Sequence, residues 1–148
     1  RTSKAMSMTT NNTTALALKC IELFNQHTLN YVEQCYAEDV DWTEMPLPTT
    51  PEGQRGNRES LLRSAGMLLR LFPDRELRVV NIVTEGNSVA MELDWSGTAA
   101  STVGPVKAGS VYHSRIASFL MISNNLIVKH TDYCVAIPER GKPKQQEG

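Results

Sequence analysis

The sequence lacks the features typical of membrane, secreted and nucleic-acid-binding proteins. None of its apolar runs approaches the roughly 20 residues that cross a bilayer, and its amino terminus has no charged-then-apolar segment of the kind that directs secretion. Its 15 basic and 16 acidic residues leave a net charge of −1, which gives no electrostatic attraction to nucleic acid or to an anionic membrane. We therefore expect a cytoplasmic protein whose partners are small molecules or protein chains.

The sequence is also poor in the residues that build metal sites and disulfides. Its three cysteines, Cys20, Cys35 and Cys134, are odd in number and widely spaced, and none belongs to a CxxC motif or a Cys/His cluster. We interpret them as reduced packing residues. No metal and no organic cofactor are predicted.

What the chain does contain is enough for one domain. At 148 residues with 41% hydrophobic side chains, it can build a single core but not two. Residues 1–14 are rich in Ser, Thr, Asn and Lys and are predicted to form a flexible arm. Residues 138–148 have almost nothing to bury and are predicted to be a disordered tail. The expected domain covers residues 15–137.

Helical periodicity dominates the first half of the chain. Apolar spacing predicts an amphipathic helix from Ala15 to Tyr31, a short helical segment over Tyr31–Tyr36 and a third helix over Arg58–Leu71, with Asn57 as its cap. Alternation over Val40–Glu44 indicates the start of a strand, and three prolines make the following residues, 45–54, a loop.

The second half of the chain changes to the two-residue period of strands. The predicted strands are Leu77–Thr84, Val89–Thr98, Val106–Ile122 and Leu126–Val135. Helices followed by a meander of about four strands predict an α+β domain. We expect a cone-shaped, curved, mostly antiparallel sheet with about three helices packed on one face.

Three segments, in this order and at this separation, carry a family resemblance: Trp42–Pro48, Glu92–Asp94 and His130–Tyr133. Together with the element order they resemble the SnoaL-like polyketide cyclase and limonene epoxide hydrolase branch of the nuclear transport factor 2-like superfamily. The resemblance spans residues 15–135. It implies an α+β cone with an interior pocket for a small apolar molecule, and pairing of open sheet faces into a homodimer.

Two pairs of polar residues could carry chemistry. In a strand, residues two apart share a face, so Glu92 shares a face with Asp94 and His130 shares one with Asp132. We expect Asp94 and Asp132 to converge on the interior, where crowding and desolvation raise a carboxyl pKa towards neutrality. The alternative places Glu92 and Asp94 on a solvated face and leaves the intervening apolar residues in the core.

The resemblance assigns further roles. Limonene epoxide hydrolase-like proteins use an Asp, an Arg and an Asp. Asp94 and Asp132 align with the two acids, Glu92 with the Arg, and Glu44 with a water-positioning Asn, so the hydrolase set is incomplete. The catalytic Asp of the cyclases aligns with Ser118. We predict catalytic roles for Asp94, Asp132 and His130. The predicted substrate-binding residues are Trp42, Glu44, Glu92, Tyr36, Leu68 and Ser118.

Two classes of function follow. The leading hypothesis is a cofactor-free acid–base enzyme of cyclase, isomerase or lyase type acting on a polyketide-, terpenoid- or steroid-like substrate. The alternative is a non-catalytic module that binds a small molecule or assembles as a dimer, and epoxide hydrolysis ranks below both. An enclosed cavity containing Asp94 and Asp132 favours the enzyme, whereas outward-facing carboxylates and a filled cone favour the module.

Overall fold

A computed structural model of the chain describes residues 2–138, with side chains described from residue 9 onward. Within these described residues, three helices and six strands follow one another. The helices are α1 (Thr2–Phe24), α2 (Asn30–Cys35) and α3 (Arg58–Leu71). The strands are β1 (Tyr36–Glu44), β2 (Gln54–Gly56), β3 (Glu76–Glu85), β4 (Ser88–Thr98), β5 (Val111–Ser123) and β6 (Leu126–Ile137).

The six strands form one sheet in the order β2-β1-β6-β5-β4-β3. All neighbours are antiparallel except β1 and β6, which run parallel. The prediction of an α+β cone with three helices and a mostly antiparallel curved sheet is confirmed. The predicted meander of about four strands corresponds to β3–β6, and the strand predicted from Val40–Glu44 is part of β1. Strand β2 was not predicted, because a three-residue edge strand after a proline-rich loop shows no period.

Local side-chain and backbone interactions fix the ends of several of these elements. The Asn57 side chain accepts a hydrogen bond from the Ser60 amide, and the Ser60 side chain accepts one from the Asn57 amide, which makes a capping box at the start of α3. The β5–β6 hairpin turns at Asn124 and Asn125, whose φ angles of 50° and 60° are those of a tight turn matching the sheet twist.

The predicted limits of the first helix are wrong at both ends. Helix α1 begins at Thr2, and its Thr14 hydroxyl lies 2.9 Å from the Thr84 hydroxyl of β3. Residues 9–14 therefore pack on the β3–β4 hairpin and are not part of a flexible arm. The helix ends at Phe24 and not at Tyr31 because His27 adopts a left-handed conformation with φ of 59°. The predicted tail from residue 139 onward lies outside the described residues.

The core lies between the helices and the inner face of the sheet. Burial along β4 alternates, so that Val89, Met91, Leu93 and Trp95 face the core while intervening residues face outward. Strand β5 begins at Val111, later than predicted, because a loop containing Gly104 and Gly109 precedes it. No helix within residues 2–138 is long and apolar enough to cross a membrane.

Candidate active site

The core does not fill the cone completely. A cavity of about 120 Å³ lies between the sheet and helices α1 and α3. Most of its wall is apolar, and includes Phe24, Leu61, Leu68, Met91, Leu93 and Trp95. The polar side chains in the wall include Tyr36, Glu44, Ser118, His130 and Asp132.

Strand register gathers four of these polar side chains on three adjacent strands. Glu44 of β1 is the register partner of Asp132 on β6, and Asp132 is in turn the partner of Ser118 on β5. His130 precedes Asp132 by two residues and shares its inward face. Residues far apart in the sequence thus form one polar row within an apolar cavity.

A hydrogen-bond chain runs through His130. Its Nε2 lies 2.7 Å from Asp132 Oδ1 and 3.0 Å from the Ser118 hydroxyl, while its Nδ1 lies 2.8 Å from the Tyr36 hydroxyl. Because a carboxylate only accepts, the short contact with Asp132 places the imidazole proton on Nε2. In the neutral imidazole with this tautomer, the Tyr36 hydroxyl donates to Nδ1, so both ring nitrogens are paired.

Burial raises the pKa of two polar side chains in the cavity wall, Tyr36 and Glu44. Desolvation raises the pKa of Tyr36 well above its usual range, which keeps the phenol protonated as a donor. Desolvation, assisted by the negative charge of Asp132, raises the pKa of Glu44 to about 7, although the Gln54 amide opposes this by donating to Glu44 Oε1 at 3.2 Å. Glu44 can therefore hold a proton near neutrality.

Comparison with known proteins identifies the domain. The sequence model of the SnoaL-like domain matches residues 17–130, well over half of the chain. The chain belongs to the SnoaL-like family. No curated protein sequence matches this SnoaL-like chain.

Solved structures share the SnoaL-like fold at low sequence identity. AclR from Streptomyces galilaeus, named as a candidate hydroxylase, is 19% identical with a TM-score of 0.73, over 87% of this chain and 82% of AclR. IdmH from Streptomyces antibioticus, a candidate polyketide cyclase, is 22% identical with a TM-score of 0.71, over 82% of this chain and 91% of IdmH. A candidate ketosteroid isomerase from Kribbella flavida is 24% identical with a TM-score of 0.61, over 94% and 89%. Family membership supports a small-molecule enzyme, and these distant likenesses show the fold alone.

Within this SnoaL-like domain the predicted convergence of Asp94 and Asp132 is wrong. Asp94 and Glu92 lie on the outer face of β4, where Arg115 Nε donates to Asp94 Oδ1 at 2.6 Å and its NH1 to Glu92 Oε1 at 2.8 Å. Arg78 of β3 also contacts Asp94. Glu92 and Asp94 face solvent, and not the core, because burying two acids is costly when two arginines on neighbouring strands can pair with them at the surface. Glu92 is therefore not a substrate-binding residue, nor is Asp94 a cavity acid.

The other predicted residues do line the cavity. Tyr36, Trp42, Glu44, Leu68 and Ser118 surround it together with His130 and Asp132. The structure thus combines an unfilled cavity, which contains Asp132 of the two predicted catalytic aspartates, with the outward-facing pair Glu92 and Asp94. Two further groups escaped sequence analysis.

Cys20 lines the cavity and its thiol lies 4.0 Å from the Tyr36 hydroxyl, and Gln54 supports Glu44. Cys20 was expected only as a reduced packing residue, and nothing in the sequence pairs Gln54 with Glu44. Among side chains of residues 9–138, no three His, Cys, Asp or Glu residues cluster as metal ligands would. The absence of a metal requirement stays a prediction.

Proposed function

We propose that this SnoaL-like protein is a cofactor-free acid–base enzyme of isomerase or cyclase type. In this proposal it removes an acidic proton from carbon next to a carbonyl group of a small apolar substrate and stabilises the enolate oxygen. Polyketide-, terpenoid- and steroid-like ketones carry such groups. The observation that carries the proposal is the pair of facing carboxyl groups, Glu44 and Asp132, in one apolar cavity.

Asp132 is the base in this proposal. Its side chain is 17% exposed and its Oδ1 is held by His130, which leaves Oδ2 to face the substrate. His130 fixes the carboxylate orientation, and Tyr36 and Ser118 fix the imidazole. A base oriented through two hydrogen-bonded partners meets the requirement that general-base catalysis places on geometry.

Glu44 is the acid in this proposal. With a pKa of about 7, it is about half protonated at neutral pH and mostly protonated below it, and the protonated form can donate a hydrogen bond to the carbonyl oxygen. The C–H proton moves to Asp132, the C–H electron pair forms the enolate, and Glu44 stabilises or protonates the oxygen. Delivery of that proton from Asp132 to a different carbon of a conjugated enolate completes an isomerisation. In a cyclisation the enolate carbon instead attacks a second carbonyl carbon, and the oxygen of that carbonyl takes the proton from Asp132.

The cavity wall supports an apolar, uncharged substrate. Among the described residues that line it there is no Lys or Arg, so a substrate anion would meet the two carboxyl groups without a counter-charge from them. A cavity of 120 Å³ is of the size that holds a single aromatic ring. A larger substrate must extend beyond it.

The test is exchange of the α-proton of 2-tetralone in deuterium oxide, followed by NMR. We expect the wild-type protein to accelerate exchange, and Asp132→Asn to slow it ~10²–10⁴-fold because the base is lost. Asp94→Asn is the matched control, an outward-facing acid whose loss leaves the rate unchanged. Equal exchange in wild type and Asp132→Asn would remove Asp132 from the mechanism. Binding of 2-tetralone without exchange would favour the binding module.

The proposed enzyme acts as a homodimer that pairs through the outer face of the sheet. One half of that face is apolar and exposed, with Val83, Phe119, Met121 and Tyr133. This apolar patch is flanked within one sheet row by Glu85 of β3 and Lys129 of β6. A two-fold axis through the patch places Lys129 of one copy opposite Glu85 of the second, so the surface is complementary to itself.

A further inference from the structure

A second compartment adjoins the main cavity. It has a volume of about 70 Å³ and shares four wall residues with the main cavity, namely Glu44, Leu68, Trp95 and Ile116. Its own walls include Phe72, Tyr112, Ser114 and Cys134. The shared side chains place the two spaces next to each other, so an elongated molecule in both would pass along these four residues.

Two hydroxyl groups in this compartment are without a protein partner. The side-chain oxygens of Tyr112 and Ser114 are buried, and neither makes a hydrogen bond to any of the described residues. Ser114 is only 5% exposed. Buried hydroxyls are normally paired, so two together in a cavity wall indicate that a ligand supplies the partner.

The fold holds both hydroxyls in place. Tyr112 packs against both Trp95 and Phe72, with ring centroids 5.8 Å and 6.2 Å away. Desolvation raises the pKa of Tyr112, which keeps its phenol protonated. Ser114 and Tyr112 are inward-facing neighbours on β5, two residues apart.

The same strand connects this pair to the proposed acid–base group. Ser118, which contacts His130, lies four residues beyond Ser114 on β5, roughly 13 Å along the strand. The apolar side chain of Ile116 separates the two serines on the inner face. The inner face therefore presents two polar ends and an apolar middle.

We propose that Tyr112 and Ser114 form a second polar subsite, which binds a hydroxyl or carbonyl oxygen at the far end of an elongated, apolar ring substrate. This proposal rests on the proposed function for the placement of the reacting end at Asp132. Each hydroxyl can donate and accept, so both kinds of oxygen fit. Within the part of the chain that the structure describes, no Lys or Arg lines the compartment, and Glu44 forms part of its wall. This lining selects an uncharged oxygen over a carboxylate or phosphate.

The experiment compares two fluorescent probes, 2,6-dihydroxynaphthalene and 2-naphthol, which differ only in the second hydroxyl. We expect wild type to bind the diol ~5–10-fold more tightly, the factor that one additional hydrogen bond provides. The double variant Tyr112→Phe with Ser114→Ala should bind both probes with similar affinity. Ser64→Ala is the control, because Ser64 lines the main cavity but not the second compartment, and it should keep the preference for the diol.

Several outcomes would overturn the subsite. These are equal binding of both probes by wild type, no binding of either, or an undiminished preference in the double variant. If the double variant does not fold, the two single variants replace it, and each should lose part of the preference. The 2-tetralone exchange assay needs only one carbonyl, so loss of the diol preference with Asp132-dependent exchange intact overturns the subsite alone. Preference without exchange overturns the proposed function alone.

Discussion

Glu44 and Asp132 are register partners on the parallel strands β1 and β6, and both side chains line one cavity. Parallel pairing places the two carboxyl groups side by side where water is scarce. Desolvation and the charge of Asp132 together raise the pKa of Glu44 to about 7. The same relationship on which the proposed catalysis depends therefore has a cost in stability that depends on pH.

The first prediction concerns this dependence. The folded pKa of Glu44 lies above its ordinary value of 4.5, so the folded state binds the proton more tightly than the unfolded state. The stability linked to Glu44 is fully present below pH 4.5 and is lost as pH rises through about 7. Glu44→Gln removes this loss, so its melting temperature should rise relative to wild type as pH increases. If the difference in melting temperature between the two proteins stays constant as the pH rises from 4.5 to 7, the raised pKa of Glu44 is contradicted.

The second prediction concerns Tyr36 as a positioning residue. Tyr36→Phe removes the donor to His130 Nδ1 and leaves a buried ring nitrogen unpaired, at a cost of about 1–3 kcal/mol. We expect nitrogen NMR to show the Nε2–H tautomer of His130 in wild type and a change of that signature in the variant, with slower 2-tetralone exchange. Tyr133→Phe is the matched control, because Tyr133 lies exposed on the opposite face of β6. An unchanged His130 signal in Tyr36→Phe would refute the role.

Sequence reasoning succeeded where the deciding interactions are local. The limits of α3 were predicted to the residue because Asn57 and the helix period are read from adjacent positions. The two-residue period also correctly grouped His130 with Asp132, and Glu92 with Asp94. Periodicity states which residues share a face, but not which face is buried.

The features that the sequence did not predict depend on contacts between residues far apart in the sequence. The outward orientation of Asp94 depends on Arg115, its register partner on β5, and a single sequence does not reveal register. The fully buried Arg75, whose guanidinium lies 4.0 Å above the Phe24 ring, also had no signal, since arginine is normally exposed. Both outcomes required knowledge of which elements pack together.

The third prediction tests the cap of α3. Asn57→Ala removes the side-chain acceptor for the Ser60 amide, and loss of such a cap costs about 1 kcal/mol of unfolding free energy. We expect a melting temperature lower by about 3 °C. Asn57→Asp retains an oxygen acceptor at the same position and should melt close to wild type. Equal loss in both variants would mean that the amide group, and not the cap, stabilises the helix start.

The last prediction concerns the proposed dimer. Phe119 lies 49% exposed in the centre of the apolar patch on the outer sheet face, so Phe119→Asp places a charge where the second copy would bury it. We expect wild type to sediment as a dimer and Phe119→Asp as a monomer in analytical ultracentrifugation. Met67→Asp is the matched control, because Met67 is 52% exposed on α3 and lies outside the patch, and this variant should remain dimeric.

The charged border of the patch gives this prediction a second, independent test. Lys129→Glu sets two acids against each other in the proposed pairing and should weaken the dimer, most clearly at low salt. Adding Glu85→Lys exchanges the two charges and should restore the association, because Lys129 and Glu85 occupy opposite ends of one sheet row. A monomeric wild type would exclude the dimer itself. If adding Glu85→Lys weakens the Lys129→Glu dimer further, the proposed two-fold pairing is excluded. The two copies would then pair through the patch in another arrangement.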